Sequence, residues 1–171
     1  MSKLDPYLER KAEALAARRA DWTDNRAAAE ITVSASAKVA GITGARLTTM
    51  GAFTLVSDSA PGLAGHALGP TAPEIMLGSL ASCLVHTYLI QATLMRLPLD
   101  HVAIHVSASL DMASVIGMPS DRAPALTNIT WHAEVVSPAE ADQIAAMHQA
   151  VEATCPVLNT IRYPVDVRRV E

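Results

Sequence analysis

Apolar positions in the first thirty residues are spaced for one face of a helix. Residues 6–29 are rich in alanine, and Leu8, Ala12, Leu15 and Trp22 recur at helical spacing between charged side chains. This pattern predicts a helix over 6–29 that packs on the body of the protein. An arm that recruits a partner is the alternative.

After residue 30 the apolar residues alternate with polar ones, as they do in a strand with one buried face. The alternation covers 31–39, 45–50 and 52–57, with a glycine-containing turn after the first segment. We expect an antiparallel meander of three strands that has one face in solvent.

A loop rich in glycine and proline, 58–70, leads into the longest apolar segment, 73–96. Thr71 suits the N-cap of a helix over 73–96, and Glu74 suits its first turn because a negative charge is favourable there. The segment is nearly long enough to cross a bilayer. Polar residues are spread along it, however, and Arg96 is its only basic flank. We therefore expect a helix buried on nearly all sides of a soluble protein, with no membrane partner.

The rest of the chain alternates between strand and helix patterns. The predicted elements are strands at 101–110 and 126–136, a helix from an N-cap at Ser137 to about Ala153, a helical turn at 157–161 and a strand at 164–170. This order of elements predicts an α+β fold.

Composition separates the chain into two parts. Half of the residues are hydrophobic and 18% are charged, which excludes an intrinsically disordered protein. Residues 1–30 hold 12 of the 30 charged residues, so 31–171 is poor in charge. Because such a body has few polar groups to cover its surface, we expect another subunit to cover part of it.

Several classes of partner and site have no supporting motif. The net charge of −4 and the lack of a basic run argue against nucleic acid. No zinc spacing or phosphate-binding glycine motif is present, so neither a cofactor nor a metal is predicted. His101 and His105 share a strand face but lie about 13 Å apart by strand rise, whereas His105 and His132 could be cross-strand neighbours. The start of the chain lacks a secretory signal, so we expect a cytoplasmic protein.

The two cysteines are too few for a disulfide scaffold, so each is either buried and inert or redox-active. Cys83 lies midway along the 73–96 helix. Cys155 precedes Pro156, which suits the first position of a helix. The N–H groups and the dipole at a helix start stabilise a thiolate. An inert buried thiol is the alternative for both.

Two motifs around these cysteines resemble the OsmC/Ohr superfamily. Residues 62–83 read GLAGHALGPTAPEIMLGSLASC, similar to the family's Gly-Gly loop followed by a Gly-Pro-x-Pro-x-Glu helix that carries a cysteine. Residues 155–157 match its Cys-Pro-Val element. The resemblance covers about 31–171 as an OsmC-like domain and leaves 1–30 as an N-terminal amphipathic helix extension. It implies an α+β OsmC-like fold, with antiparallel sheets around long central helices, in an intertwined homodimer.

The resemblance also implies a thiol-dependent peroxidase that reduces organic hydroperoxides. In the family's chemistry the cysteine that matches Cys83 attacks the peroxide and becomes a sulfenic acid. The cysteine that matches Cys155 then forms a disulfide with it, which an external dithiol reductant opens. An arginine of the N-terminal sheet holds the thiolate ionised. Arg46 is the only arginine between Arg26 and Arg96 and is therefore the candidate, with a solvated strand residue as the alternative.

The family's helper glutamate corresponds to Glu74, but the spacing differs. The peroxidase branch places it ten residues before the reactive cysteine, and here the interval to Cys83 is nine. At about 100° per residue, nine residues put Glu74 half a turn away from Cys83. A helix stabiliser is therefore favoured over a catalytic residue. His86, one turn after Cys83, could bond a thiolate, and a core histidine is favoured.

Two other functions remain open at this point. The displaced glutamate fits an OsmC-fold dimer that binds a small apolar ligand at its interface, with regulatory or vestigial cysteines. A hydrolytic or acyl-transfer dyad of Cys83 and His86 is the weaker option, because nothing in the sequence orients the histidine or supplies an oxyanion hole.

Overall fold

The computed structural model describes residues 2–163 and 165–170. Over these residues the chain forms four α-helices and five strands, and the predicted α+β class is confirmed. The elements are α1 Asp5–Asp24, β1 Ala35–Val39, β2 Arg46–Met50, β3 Phe53–Ser57, α2 Ala72–Met95, β4 His101–Leu110, β5 Leu126–Val136, α3 Ala141–Thr154 and α4 Pro156–Arg162.

The chain divides into two compact units, which we call the smaller unit (19–76) and the larger unit (1–18 with 77–171). The smaller unit contains the predicted meander, an antiparallel sheet in the order β1-β2-β3. In its register Ala35 pairs with Met50 and Arg46 pairs with Ser57. The first strand begins at Ala35 rather than at residue 31, and all five of its residues are exposed. Apolar and polar residues alternate along this strand, as predicted, but the smaller unit does not bury the apolar face of the strand.

The loop after β3 is organised by one carboxylate. Asp58 is fully buried and accepts hydrogen bonds from the backbone N–H groups of Ser59 at 2.8 Å, His66 at 2.9 Å and Leu68 at 3.3 Å. These donors hold the pKa of Asp58 below its usual value, the His66 N–H contributing most. Gly69 passes so close to the strand that a Cβ there would lie 2.0 Å from the carbonyl oxygen of Val56.

The larger unit holds the hydrophobic core. Strands β4 and β5 pair antiparallel, and alternate residues of both strands pack against the core while the others face outward, as predicted. The core residues come from three separate parts of the sequence, near the start, in the middle and near the end, and are Leu8, Leu80, Leu84, Tyr88, Ala92, Leu97, Leu99, Met147, Val151, Cys155 and Leu158.

Helix α2 buries one face in this core. Leu80, Leu84, Tyr88 and Ala92 recur every four residues and are fully buried. The helix is long and apolar enough to cross a membrane, yet only 33% of its most apolar window is buried within the chain. The expectation of a helix buried on nearly all sides is therefore not met by one chain alone.

The predicted end of α1 and the predicted start of α3 were wrong. Helix α1 ends at Asp24, in a Thr-Asp-Asn stretch of low helix propensity, and a separate 3₁₀ turn follows at Arg26–Ala29. Helix α3 begins at Ala141, after a capping box between Glu140 and Gln143. The predicted N-cap, Ser137, instead donates to the carbonyl oxygen of Pro98 at 2.6 Å.

The strand predicted at 164–170 is also wrong over residues 165–170. Pro164 lies outside the described residues, and 165–170 contain no strand. Val165, Val167 and Val170 of this segment are exposed. The alternating pattern is present, but no strand within the described chain pairs with it.

Candidate functional site

The fold brings Cys83 and Cys155 together although they are 72 residues apart in sequence. The Cys155 thiol donates to the Cys83 sulfur at 3.5 Å, and both cysteines are free. A disulfide bond is about 2.05 Å long, so a shift of under about 2 Å would join the two sulfurs. Cys155 is fully buried and Cys83 is only partly buried. The more accessible thiol is therefore Cys83.

Backbone geometry fixes the place of Cys155. The residue ends α3 and begins α4: its N–H donates to the carbonyl of Val151 at 3.0 Å, and its own carbonyl accepts from the N–H of Asn159 at 3.0 Å. Pro156 forces this break, because proline has no N–H to continue α3 but suits the first position of a helix. The Cys-Pro motif thus sets where one helix stops and the next starts.

Opposing influences act on the Cys83 thiol. Burial is the largest and raises its pKa above the usual value, and the neighbouring Cys155 thiol adds to this. The backbone N–H of Val157, in α4, and the Thr87 hydroxyl act in the opposite direction. The net direction is upward, so the thiol is protonated at neutral pH in this arrangement.

Arg46 is the first residue of β2 and lies in the smaller unit. Its guanidinium donates to the carbonyl of Gly44 at 2.8 Å and to the hydroxyl of Ser59 at 3.3 Å. These contacts place it beside the start of the Asp58 loop. The side chain is partly buried, so it is not a freely solvated strand residue.

Glu74 forms a capping box with Thr71 at the start of α2. Its carboxylate accepts from the N–H of Thr71 at 2.7 Å and from the Thr71 hydroxyl at 2.8 Å, and the Glu74 N–H lies 3.4 Å from that hydroxyl. The Thr71 N–H is the main cause that lowers the pKa of Glu74. The predicted N-cap at Thr71 is therefore confirmed, and the carboxylate is held by it.

His86 has a partner that the sequence did not indicate. Its Nε2 atom lies 3.1 Å from the ammonium of Lys11, in α1. Because an ammonium can only donate, His86 accepts and is neutral in this pair. Partial burial and the Lys11 charge both lower the pKa of His86. No sequence motif links Lys11 to α2, since the contact depends on how α1 docks.

Sequence reasoning also missed two polar contacts between α2 and α3. Tyr88 is hydrogen-bonded to His148, and Gln91 donates to the Thr154 hydroxyl at 2.9 Å. Burial, helped by the charge of Glu152, raises the pKa of Tyr88 to about 12. Tyr88 reads from the sequence as one apolar position among many in a helix face.

The histidines of the larger sheet form a surface pair. His105 and His132 are cross-strand partners with stacked rings 6.4 Å apart, and His105 lies 3.1 Å from the carboxylate of Glu134. Within residues 2–163 and 165–170, no group of three or more His, Cys, Asp or Glu side chains could hold a metal ion.

A shallow apolar groove runs along α2 in the larger unit. Its volume is about 330 Å³. Val85 and Leu89, which flank it, lie within two turns of Cys83. Its lining residues are Leu4, Tyr7, Val85, Leu89, Asp100, His101 and Val102.

Comparison of the chain with known proteins identifies a family. The family model described as OsmC-like protein matches residues 65–169. No curated relative matches the chain. An OsmC-like protein from Mycoplasma pneumoniae superposes with a TM-score of 0.66 at 21% identity, over 78% of this chain and 89% of that one.

Two further similar structures are organic hydroperoxide resistance proteins. One, from Legionella pneumophila, has a TM-score of 0.59 at 20% identity over 77% of this chain and 90% of its own. The other, from Elizabethkingia anophelis, has a TM-score of 0.60 at 12% identity over 78% and 89%. At these identities the structures establish a shared fold.

Proposed function

The chain belongs to the OsmC-like protein family, and from that premise we propose that it is a thiol-dependent peroxidase that reduces organic hydroperoxides. The observation that carries the proposal is the 3.5 Å separation of the two free sulfurs. A second thiol at this distance can trap an oxidised first thiol as a disulfide. The relatives described as organic hydroperoxide resistance proteins support the choice of substrate class.

Cys83 is the proposed nucleophile because it is the more accessible of the two thiols. Its thiolate attacks one oxygen of the O–O bond, the alcohol leaves with a proton, and Cys83 becomes a sulfenic acid. The Cys155 thiol then displaces the sulfenic oxygen as water and forms the disulfide. An external dithiol reduces this disulfide and is itself oxidised to a disulfide, which restores both thiols.

A cation is required in this mechanism because burial keeps the Cys83 thiol protonated. Arg46 is our candidate for stabilising the thiolate, since an opposite charge nearby favours ionisation. Glu74 is the candidate helper carboxylate by position in the family motif. Its capping box with Thr71 supports a role in starting α2 instead.

The test is to treat the fully reduced protein with cumene hydroperoxide and measure its intact mass. We expect a loss of about 2 Da, which corresponds to one disulfide, and its abolition in Cys83→Ser. Cys155→Ser should instead gain about 16 Da as a sulfenic acid, because no resolving thiol is left. An unchanged thiol count in excess peroxide would rule out the peroxidase.

The apolar groove beside α2 favours a second candidate function, the binding of a small apolar ligand with regulatory cysteines. This reading predicts a saturable thermal shift with a hydrophobic probe such as 1-anilinonaphthalene-8-sulfonate. It also predicts peroxide consumption no faster than that of a free thiol. A rate far above the free-thiol rate would exclude it.

We also propose a cytoplasmic homodimer in which 1–30 is an extension of the 31–171 domain. The support is surface chemistry: α2 is apolar over most of its length, yet only 33% of its most apolar window is buried in one chain. Exposed apolar area of that kind on a protein is typical of a subunit interface.

A further inference from the structure

Two side-chain hydrogen bonds join α2 to α3. The Tyr88 hydroxyl is bonded to Nδ1 of His148, and the two rings meet edge to face with centroids 5.5 Å apart. The Gln91 amide donates to the Thr154 hydroxyl at 2.9 Å, and that hydroxyl donates in turn to the carbonyl of Ala150 at 2.6 Å. Tyr88 is fully buried and Gln91 is 8% exposed, so the α2 partner of each bond is shielded from water, whereas His148 is partly buried and Thr154 is exposed.

The position of the Cys155 sulfur follows from the position of α3. Thr154 is the residue directly before Cys155, and the Cys155 backbone is bonded to both α3 and α4. Any slide or rotation of α3 against α2 therefore moves the sulfur relative to Cys83. A displacement of about 1 Å is a substantial fraction of the roughly 1.5 Å by which the two sulfurs must approach to form a bond.

Apolar packing alone does not prevent α3 from sliding along α2. Met147 and Val151 fix α3 to the core through burial, which is non-directional and tolerates shifts between similar packings. A hydrogen bond weakens steeply when its distance or angle changes. A buried partner that loses its bond also carries a desolvation cost. The two polar contacts therefore select one register of α3.

We infer that Tyr88 and Gln91 are positioning residues that hold Cys155 in register with Cys83 through His148 and Thr154. They keep the two thiols at a high effective concentration in the reduced protein and thereby favour disulfide formation. The inference rests on the proposed function only in that the disulfide is part of its cycle.

The test is the thiol–disulfide equilibrium of the full chain in mixtures of reduced and oxidised glutathione. Each protein disulfide forms at the expense of one oxidised glutathione, which is released as two molecules of reduced glutathione. Peroxide therefore plays no part in the measurement. We expect Tyr88→Phe and Thr154→Val each to lower the equilibrium constant for disulfide formation about three- to tenfold, the range for one lost hydrogen bond. His148→Asn, which retains an amide oxygen near the position of Nδ1, should restore part of the value lost in His148→Ala.

Thr160→Val is the matched control. Thr160 is exposed and donates to the carbonyl of Pro156 four residues back, as the exposed Thr154 does to Ala150, but among the described residues it makes no interhelical bond. We expect its equilibrium constant to equal that of the wild type.

Separate urea unfolding of the reduced and oxidised forms distinguishes positioning from simple stabilisation. A merely structural role lowers the stability of both forms equally and leaves the equilibrium constant unchanged, and that result would overturn the inference. So would a wild-type protein that forms no intramolecular disulfide in this buffer. Inactivity toward peroxide with the predicted glutathione results would overturn the peroxidase alone.

Discussion

Cys83 shows how much a residue depends on its surroundings. The sequence places a thiol in an apolar helix, where burial alone keeps it protonated. The structure adds the Val157 N–H and the Thr87 hydroxyl, which favour the thiolate without outweighing burial and the neighbouring thiol. Under the proposed peroxidase mechanism, reactivity at neutral pH requires one further positive charge near the sulfur.

This dependence predicts a pH profile. Alkylation of Cys83 by iodoacetamide should rise with pH, because only the thiolate reacts. In Arg46→Met the midpoint should lie above the usual value of 9.0, since burial then dominates. The wild-type midpoint should be lower than that of Arg46→Met if Arg46 stabilises the thiolate. The alkylation rate at each pH can be measured by mass spectrometry of the peptide that contains Cys83. Identical pH profiles for the wild type and Arg46→Met would remove Arg46 from the mechanism.

Glu74 gives a second test at this scale. If the carboxylate only starts α2, then Glu74→Gln and Thr71→Ala should both lower the melting temperature and leave the peroxide rate within about twofold of the wild type. Thr71→Ala removes the cap but keeps the carboxylate, so it serves as the control. A rate loss confined to Glu74→Gln would instead make Glu74 a catalytic residue.

At the scale of the element, the predicted boundaries were right where caps are local and wrong where they compete. Thr71 caps α2 as predicted, because its partner is three residues away. Ser137 looked equally suitable for α3, but its hydroxyl binds Pro98, 39 residues away in sequence. A sequence pattern does not indicate an acceptor that is distant in the sequence. The N-cap of α3 is therefore Glu140 rather than Ser137.

The loop after β3 is held together by the Asp58 carboxylate, so the stability of the protein should depend on pH in the acid range. The pKa of Asp58 is lowered in the folded chain, so its contribution to stability is present above its usual value of 3.8 and is lost as pH falls through the folded value. Asp58→Asn should therefore be less stable than the wild type near neutrality. The difference should shrink as pH falls below 3.8.

Urea midpoints measured from pH 6 to pH 2 would test this. Asp121→Asn is a suitable control, because Asp121 is an exposed carboxylate outside the helices and strands. A gap between wild type and Asp58→Asn that stays constant down to pH 2 would contradict the role of the three N–H donors.

At the scale of the whole molecule, the uncovered face of α2 predicts an oligomer. Gly78 lies on α2, is exposed, and has no atom within 4 Å of where a Cβ would be. Gly78→Leu should therefore leave the folding of the single chain unharmed and favour its helix. If this face is the dimer interface, the same side chain should block association.

Light scattering would give the mass directly. We expect the wild type at twice 18.0 kDa and Gly78→Leu shifted toward 18.0 kDa. Ala16→Leu, which adds the same side chain to the exposed side of α1, should remain dimeric. A wild type of 18.0 kDa at micromolar concentration would refute the homodimer.

The sequence by itself determined the order of the elements up to α4, the α+β class and the family, although it placed a strand at 164–170 and set two helix boundaries wrongly. These follow from periodicity and from motifs whose residues are neighbours in the chain, such as Thr71 with Glu74 and Cys155 with Pro156. It also determined which residues are chemically able to react.

Only the tertiary structure decided which of those residues meet. The 3.5 Å approach of Cys83 to Cys155, the Lys11–His86 pair and the Tyr88–His148 contact each join residues at least 60 positions apart. Such contacts depend on how helices dock, and apolar periodicity specifies a buried face without specifying its register. The same reason explains the exposed β1 and 165–170, whose patterns are those of strands but whose pairing or cover is not supplied by the described chain.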